Sequence, residues 1–234
     1  MCIRDRVKES SDFYSEALSL AQKFQLKAVK EECLVALEIY KFYSRGKDLC
    51  SSNMCQRSIV SFKRAIELAR KIGSKEHEVK CLRQMSIIYW QLNSLEEFLA
   101  LNEEALKIAK NLNNRREEGK CQMNIGLFYW RMDNYPKAIR YYENALQISQ
   151  KIRNKESEAE SMTNISIVYS DLANYEKALE YMKKAFDIDQ QLSNEVWLSM
   201  DLNNIGEIFR KKGLLSSNKE DFYKALDYYY DSLK

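Results

Sequence analysis

The chain has 234 residues, of which 45% are apolar, and its 37 basic and 34 acidic side chains leave a formal net charge of +3. One proline and six glycines leave few interruptions for helices, so the composition predicts an all-α protein. The near balance of charge disfavours nucleic-acid binding, which normally needs a clear basic excess. No apolar run approaches the roughly 18 residues that span a membrane, and no signal peptide is evident. We therefore expect a cytoplasmic protein with neither nucleic-acid nor membrane partners.

The first residues of the chain do not share the pattern of the rest. Residues 1–6 fit no repeated position and resemble a translated sequencing adapter. Residues 1–11 are therefore interpreted as a disordered or adapter-derived leader, and residues 12–234 as one repeat array.

Helical periodicity predicts about eleven helices, in chain order 12–23, 26–43, 54–72, 75–92, 95–112, 115–132, 135–152, 155–172, 175–192, 195–212 and 221–234. We group them as a half repeat, 12–23, followed by helix pairs 26–72, 75–112, 115–152, 155–192 and 195–234. Two turns within pairs are predicted to be enlarged, at 44–53 and at 214–220. The last helix stops inside its own apolar pattern, so we expect a piece of a longer chain.

These assignments depend on a 40-residue register. The repeated positions include Ala65, Ala105, Ala145 and Ala185, and the aromatic Tyr89, Tyr129, Tyr169 and Phe209. A fixed period of roughly 20 to 50 residues is typical of arrays in which each repeat buries its apolar face on its neighbours. Ser74, Asn114, Asn154 and Asn194 recur as predicted helix N-caps.

The cysteines follow the same register. Cys81 and Cys121 share one repeated position, and Cys33 joins them across an insertion, which favours small apolar packing residues. Cys50 and Cys55 lie close together, but with a single histidine in the chain their spacing is poor for zinc. We predict no metal site, no cofactor and no disulfide framework.

Five repeated positions resemble the tetratricopeptide repeat (TPR) pattern. They are Gly126, Tyr129, Ala138, Tyr142 and Ala145 in one repeat, and Ser166, Tyr169, Ala178, Met182 and Ala185 in the next. The period of 40, rather than the usual value of about 34, resembles kinesin light chains and Pins-type adaptors. The resemblance implies a right-handed α-α superhelix, a TPR solenoid, whose first helices line a concave groove. Phe98 and Asn102 depart from the pattern, as do Glu38 and Lys41.

The first helix of each pair also carries a second ordered face. In 115–132 it comprises Lys120, Met123, Asn124, Leu127, Trp130 and Arg131, at helical spacing. One column of this face holds the amides Gln84, Asn124, Asn164 and Asn204. In long-period TPRs that resemble this chain, such a column hydrogen-bonds the backbone of an extended peptide, and an amide offers both donors and an acceptor. A polar contact that ties helix to helix is the alternative.

Affinity for a partner is expected from the neighbours of this column. The partner-binding candidates are Ile87, Trp90, Leu127, Trp130 and Ile167, with the charged Arg131 and Arg210. Tryptophan is enriched among binding hot spots, although inter-helix packing is the alternative for both tryptophans. The face changes from apolar at 87–130 to charged at Asp171, Glu207, Arg210 and Lys211, which suits an amphipathic or mixed partner segment.

Catalytic chemistry is not expected. The single histidine, His77, lies between Glu76 and Glu78 in an expected solvated setting, and no phosphate-binding glycine loop occurs. We predict a protein–protein interaction module that binds an extended or amphipathic segment in the groove. The alternative is a regulatory or sensory arm in cis to an effector domain outside this chain: a CHAT-type protease, a histidine kinase or a transcription regulator. An oligomerising scaffold is a third interpretation.

Overall fold

A computed structural model of the chain describes residues 54–233, together with residues 15, 19, 34, 38, 41–45, 47 and 48. Residues 54–233 form nine α-helices. In chain order they are α1 (Cys55–Lys71), α2 (Lys75–Gln91), α3 (Leu95–Asn111), α4 (Arg115–Arg131), α5 (Tyr135–Lys151), α6 (Lys155–Asp171), α7 (Tyr175–Gln191), α8 (Glu195–Ser216) and α9 (Lys219–Asp231).

The predicted all-α fold is confirmed. The seven helices predicted from 54–72 to 175–192 have their observed limits within one residue of the predicted ones at each end. The leader 1–11 lies outside the described residues, as does most of the predicted helices 12–23 and 26–43. The described positions inside those two helices, including residues 41–43, are helical.

One kind of turn joins each helix from α1 to α7 to the next. The residue after the C-cap has a positive φ, between 51° and 71°, and such residues recur every 20 positions from Gly73 to Ser193. Its amide donates three residues back, as Ala173 N does to Ser170 O at 3.1 Å, and the following amide donates five residues back, as Asn174 N does to Tyr169 O at 2.9 Å. These two bonds define the Schellman motif. Helices of 17 residues and turns of three residues therefore give a constant step.

The residue that closes the turn also caps the next helix. The side chains of Asn134, Asn154, Asn174 and Asn194 each accept a hydrogen bond from the backbone amide three residues on. The predicted caps Asn154 and Asn194 are thus confirmed. Ser74 makes no such bond to the backbone.

By packing, the chain divides into two compact units. The N-terminal unit ends at Asn114 and the C-terminal unit begins at Arg115. In the N-terminal unit α1 packs on α2 and α2 on α3. In the C-terminal unit each helix from α4 to α8 packs on the next, and α6 also contacts α8. The helices form sequential antiparallel pairs, as expected for a TPR solenoid.

A small residue on the first helix of a pair lets a ring of the second helix approach closely. A Cβ atom added to Gly126 in α4 would lie 2.7 Å from Cε1 of Tyr142 in α5. One added to Gly206 in α8 would lie 2.8 Å from Cε1 of Tyr229 in α9. Only glycine accommodates such a contact, because real Cβ atoms do not approach carbon so closely.

The middle pair of the C-terminal unit uses a different combination at these positions. Ser166 in α6 replaces the glycine, and its hydroxyl donates to Ala178 O at 2.6 Å. Met182 in α7, fully buried, stands where α5 has Tyr142. Where serine replaces the glycine, the partner helix therefore carries a flexible methionine side chain in place of the tyrosine ring.

The aromatic column forms a second repeated contact. In the three pairs of the C-terminal unit, a ring of the first helix stacks on a tyrosine of its partner, with centroids 5.4 Å apart for Tyr129 and Tyr141, 5.8 Å for Tyr169 and Tyr181, and 5.6 Å for Phe209 and Tyr228. These stacks fix the rotation of each helix about its partner.

The prediction of an enlarged turn at 214–220 is wrong. Helix α8 continues to Ser216, and the turn consists of Ser217, with φ 55°, and the capping residue Asn218. The additional residues extend the helix because Gly213 packs against Asp221 and Phe222 of α9, where a Cβ atom would lie 3.3 Å from either side chain.

The prediction of an enlarged turn at 44–53 is wrong in part. Residues 44, 45, 47 and 48 are helical. Residues 49–53 lie outside the described part of the chain.

The prediction that Cys81 and Cys121 are buried packing residues is confirmed. Cys81 and Cys121 are fully buried free thiols, and burial raises the pKa of Cys81 to about 12. Cys33 and Cys50 lie outside the described residues. His77 is half-buried rather than solvated: its Nδ1 hydrogen-bonds with Ser74 Oγ at 2.7 Å, and burial lowers its pKa.

Within the described residues, no helix combines the length and apolar character that crossing a membrane requires.

We expect Ala173→Gly to raise the free energy of unfolding. Ala173 holds a φ of 56°, which costs an L-residue roughly 1–2 kcal/mol, while the greater freedom of glycine in the unfolded chain offsets part of the gain. The expected increase is therefore up to about 1 kcal/mol in urea denaturation. Gly73→Ala is the reciprocal control, since φ is 71° there and a Cβ atom would have no neighbour within 4 Å. A stabilised Gly73→Ala variant would contradict this account.

Gly126→Ala should destabilise the chain by about 1–3 kcal/mol, because the added methyl group overlaps the buried ring of Tyr142. Tyr142→Met introduces the side chain that the next repeat uses. In the double variant the cost of Gly126→Ala should shrink by at least half. Urea unfolding of the four proteins measures this coupling, and strictly additive effects would show that the two side chains do not meet.

Candidate partner-binding face

The first helices of the three C-terminal pairs, α4, α6 and α8, lie side by side. Trp130 Nε1 in α4 donates to Oδ2 of Asp171 in α6 at 2.8 Å, and Lys211 Nζ in α8 donates to Oδ1 of the same carboxylate at 2.7 Å. Thr163 Oγ1 in α6 donates to Oδ1 of Asp201 in α8 at 3.4 Å. Residues at matching positions of these helices therefore share a face. We define this first-helix face by Asn124, Leu127, Asn164, Ile167 and Asn204, with Glu207, Arg210 and Lys211 at its α8 end.

Three of the four predicted amides meet on this face. Asn124, Asn164 and Asn204 are half-buried and contribute one amide to each of α4, α6 and α8. Half burial restrains a side chain and leaves part of its surface open to a partner. Gln84, also half-buried, lies in α2 of the N-terminal unit.

The apolar candidates accompany the amides one turn along each helix. Leu127 in α4 and Ile167 in α6 are half-buried, and Glu207 holds the matching position in α8. Ile87 is half-buried in α2 of the N-terminal unit. Within the C-terminal unit the first-helix face therefore changes from apolar on α4 and α6 to charged on α8.

The two tryptophans take part in packing inside their own units. Trp90 meets the buried Phe98 with ring centroids 5.1 Å apart. Trp130 packs against a core cluster that includes Tyr142 and Ile165, in addition to its bond with Asp171. Both indoles remain half-buried. Much of the surface of both tryptophans is therefore used in internal packing, which was the alternative interpretation.

Of the charged candidates, Arg210 is engaged within its own helix. Its Nε and Nη2 atoms donate to Glu207 at 2.8 and 2.6 Å, and Tyr229 also donates to Glu207 at 3.0 Å. The hydrogen bond between Arg210 and Glu207 lowers the pKa of Glu207 and raises the pKa of Arg210. Arg131 is exposed at the last residue of α4.

Asp171 joins three first helices through one carboxylate, and the sequence did not lead us to expect this. We predicted Asp171 only as one of the charged residues at one end of the face. The signal was present in the register, because Arg131, Asp171 and Lys211 alternate in charge at a spacing of 40 residues. No group of three or more His, Cys, Asp or Glu side chains suited to a metal ion occurs in the part of the chain that the structure describes.

Residues 120–191 match the family model of the tetratricopeptide repeat. The fold resembles solved TPR arrays of the kinesin-light-chain and Rap types. No curated protein matches the chain in sequence.

Three similar solved structures indicate the range of proteins that share this fold. BtubC (BKLC) from P. vanneervenii has a TM-score of 0.73 at 16% identity, over 97% of this chain and 89% of that chain. A Signal Transduction ATPase with Numerous Domains (STAND) protein with a tetratricopeptide repeat sensor, from Pyrococcus horikoshii, has a TM-score of 0.70 at 20% identity, over 97% and 36%. The Rap conjugation gene regulator of the plasmid pLS20, in complex with the Phr* peptide, has a TM-score of 0.58 at 14% identity, over 85% and 59%. Identities this low show the fold alone.

A double-mutant cycle tests the contact between Trp130 and Asp171. Because the indole N–H donates directly to the carboxylate, Trp130→Phe and Asp171→Ala should show a coupling energy of about 1 kcal/mol in urea denaturation. Trp90→Phe is the matched control: Trp90 belongs to the N-terminal unit, so its replacement should add independently to Asp171→Ala. A coupling energy near zero for Trp130 would mean that the hydrogen bond does not form in solution.

Proposed function

We propose that this tetratricopeptide repeat array is a protein–protein interaction module, acting in the cytoplasm, that binds an extended or amphipathic partner segment along its first-helix face. The observation that carries the proposal is the set of three half-buried asparagines, one on each of three adjacent helices. We propose no catalytic role for these residues.

The amides suit a partner's backbone. Each asparagine offers two donors and an acceptor, which match a peptide group whatever its side chain. At a net contribution of about 1 kcal/mol for each hydrogen bond, three amides would together contribute about 3 kcal/mol, and their positions would set the register of a bound segment. Their spacing in the chain, 40 residues from Asn124 to Asn164 and from Asn164 to Asn204, places one contact on each successive pair.

The rest of the first-helix face suits a partner of mixed character. Leu127 and Ile167 offer apolar contacts on α4 and α6, whereas Glu207, Arg210 and Lys211 make the α8 end charged. A segment with apolar side chains at one end and charged ones at the other fits this gradient. That a Rap protein of similar fold was solved with a peptide bound is consistent with such a role.

The second candidate function is that of a regulatory or sensory arm in cis to an effector domain. It is favoured by the similar STAND protein, whose tetratricopeptide repeats are a sensor and of whose chain this one covers 36%. The effector would be a CHAT-type protease, a histidine kinase or a transcription regulator. The reading frame on both sides of this sequence tests this: such a domain on either side would support it, and a complete frame without one would rule it out.

The triple variant Asn124→Ala, Asn164→Ala and Asn204→Ala tests the main proposal. A peptide is first selected on the wild-type chain from a displayed library of random linear sequences, and its Kd is measured by fluorescence anisotropy. Loss of three amide contacts should weaken binding by about 100-fold, with helicity and the melting temperature unchanged.

The matched control replaces Asn144 and Gln147 on α5, a second helix, by alanine, and should leave the Kd unchanged. Equal binding by the triple variant would exclude the asparagine column as a binding element. Loss of folding would instead identify these residues as structural.

A further inference from the structure

Two aspartates face each other in the interior of the C-terminal unit. Asp189 lies near the end of α7 and Asp201 in the second turn of α8, and they are 1% and 2% exposed. Each carboxyl group has a buried Oδ2 atom that no described residue hydrogen-bonds, and the two groups lie close enough for each to shift the pKa of the other. The one hydrogen bond to either carboxyl group within the described residues comes from Thr163 Oγ1 in α6, to Asp201 Oδ1.

The same two positions are neutral in the other repeats. Forty residues earlier they are Ser149 and Ser161, both buried, whose hydroxyls donate to carbonyls of their own helices at 2.8 and 2.7 Å. In the N-terminal unit they are Ala69 and Cys81, also buried. The fold therefore packs these positions without charge, and the last repeat alone introduces a pair of acids.

The surroundings of the pair do not neutralise it. The charged groups that act on it from α6, α7 and α8 are all acidic, namely Glu156 and the two aspartates themselves. No lysine or arginine of the described chain forms an ion pair with either aspartate. Burial raises the pKa of Asp189. Burial, followed by the charge of Asp189, raises the pKa of Asp201 to about 7.

We propose that Asp189 and Asp201 share one proton in the folded chain and make the packing of α8 on α7 sensitive to pH. With the proton present, one carboxyl group donates to the other and the two helices are held together. When the proton leaves, two adjacent carboxylates repel each other in a site that water does not reach, and the contact between α7 and α8 loosens.

The direction of the pH dependence follows from linkage. In the unfolded chain an aspartate titrates near its ordinary value of about 3.9. Between that value and neutrality the folded chain therefore holds a proton that the unfolded chain has lost. Stability consequently falls as the pH rises through this window, and it levels off once the folded pair is also ionised.

The pH sensitivity of the contact between α7 and α8 does not depend on the proposed function, but its effect on partner binding does. Asp201 lies one turn before Asn204, and its donor Thr163 precedes Asn164. A looser contact between α7 and α8 would therefore shift one amide of the binding column relative to the next.

The test is a comparison of melting temperatures at pH 4.5 and pH 8. Asp201→Ser and the double variant Asp189→Ser with Asp201→Ser introduce the side chains that the preceding repeat already packs. At pH 8 each variant should have a higher melting temperature than the wild type. The difference in melting temperature between variant and wild type should be at least about 5 °C larger at pH 8 than at pH 4.5. Asp187→Asn, an exposed acid two residues from Asp189, is the control and should show no such difference. An equal shift at both pH values for the serine variants would overturn the proposal.

A measurement on the wild-type chain avoids any question of folding in the variants. Carbon-detected NMR of the side-chain carboxyls should show Asp201 titrating well above the ordinary aspartate range. Amide exchange, corrected for its intrinsic pH dependence, should show protection in α8 falling between pH 5 and pH 8 while protection in α4 stays constant. A midpoint near 4 for both aspartates would refute the shared proton.

Discussion

The three-residue Schellman turn is the constraint on which the rest of the structure depends. Its positive-φ residue recurs every 20 positions from Gly73 to Ser193 and gives every helix from α1 to α7 the same length. Because the step is constant, residues 40 apart occupy the same place in successive repeats. The steric cost of left-handed backbone at Arg153, Ala173 and Ser193 is tolerated since paired hydrogen bonds close each turn.

Once the register is set, the size of a few side chains decides how closely helices approach. Gly126 admits the ring of Tyr142, whereas the pair with Ser166 carries Met182 in place of the ring. Such complementarity is local to each pair, as expected for a solenoid whose stability is built from neighbouring contacts. The first helices are then joined by polar contacts, of which the Asp171 carboxylate, bound to both Trp130 and Lys211, is the clearest.

The candidate binding face consists of positions that this packing leaves partly open. Asn164 and Ile167 are half-buried, and they recur with Asn124 and Leu127 on the adjacent first helix. The tryptophans differ from them, because Trp130 is drawn into the core of its own unit. The sequence could identify both sets as ordered columns, but periodicity alone does not distinguish a column that faces a neighbouring helix from one that faces solvent.

For α1 to α7, the helices, their limits and their pairing could be predicted from the amino-acid sequence, because period, capping residues and turn residues act over a few neighbours in the chain. The tertiary structure decided other features, through contacts between packed helices. The extension of α8 to Ser216 depends on the fit of Gly213 against α9, and the burial of Glu78, ion-paired with Lys75 and Arg70, depends on contacts that span two helices. The acid pair at Asp189 and Asp201 acquires its chemistry only from desolvation between packed helices. These features escape the sequence because they arise from what covers a side chain, and not from its place in the repeat.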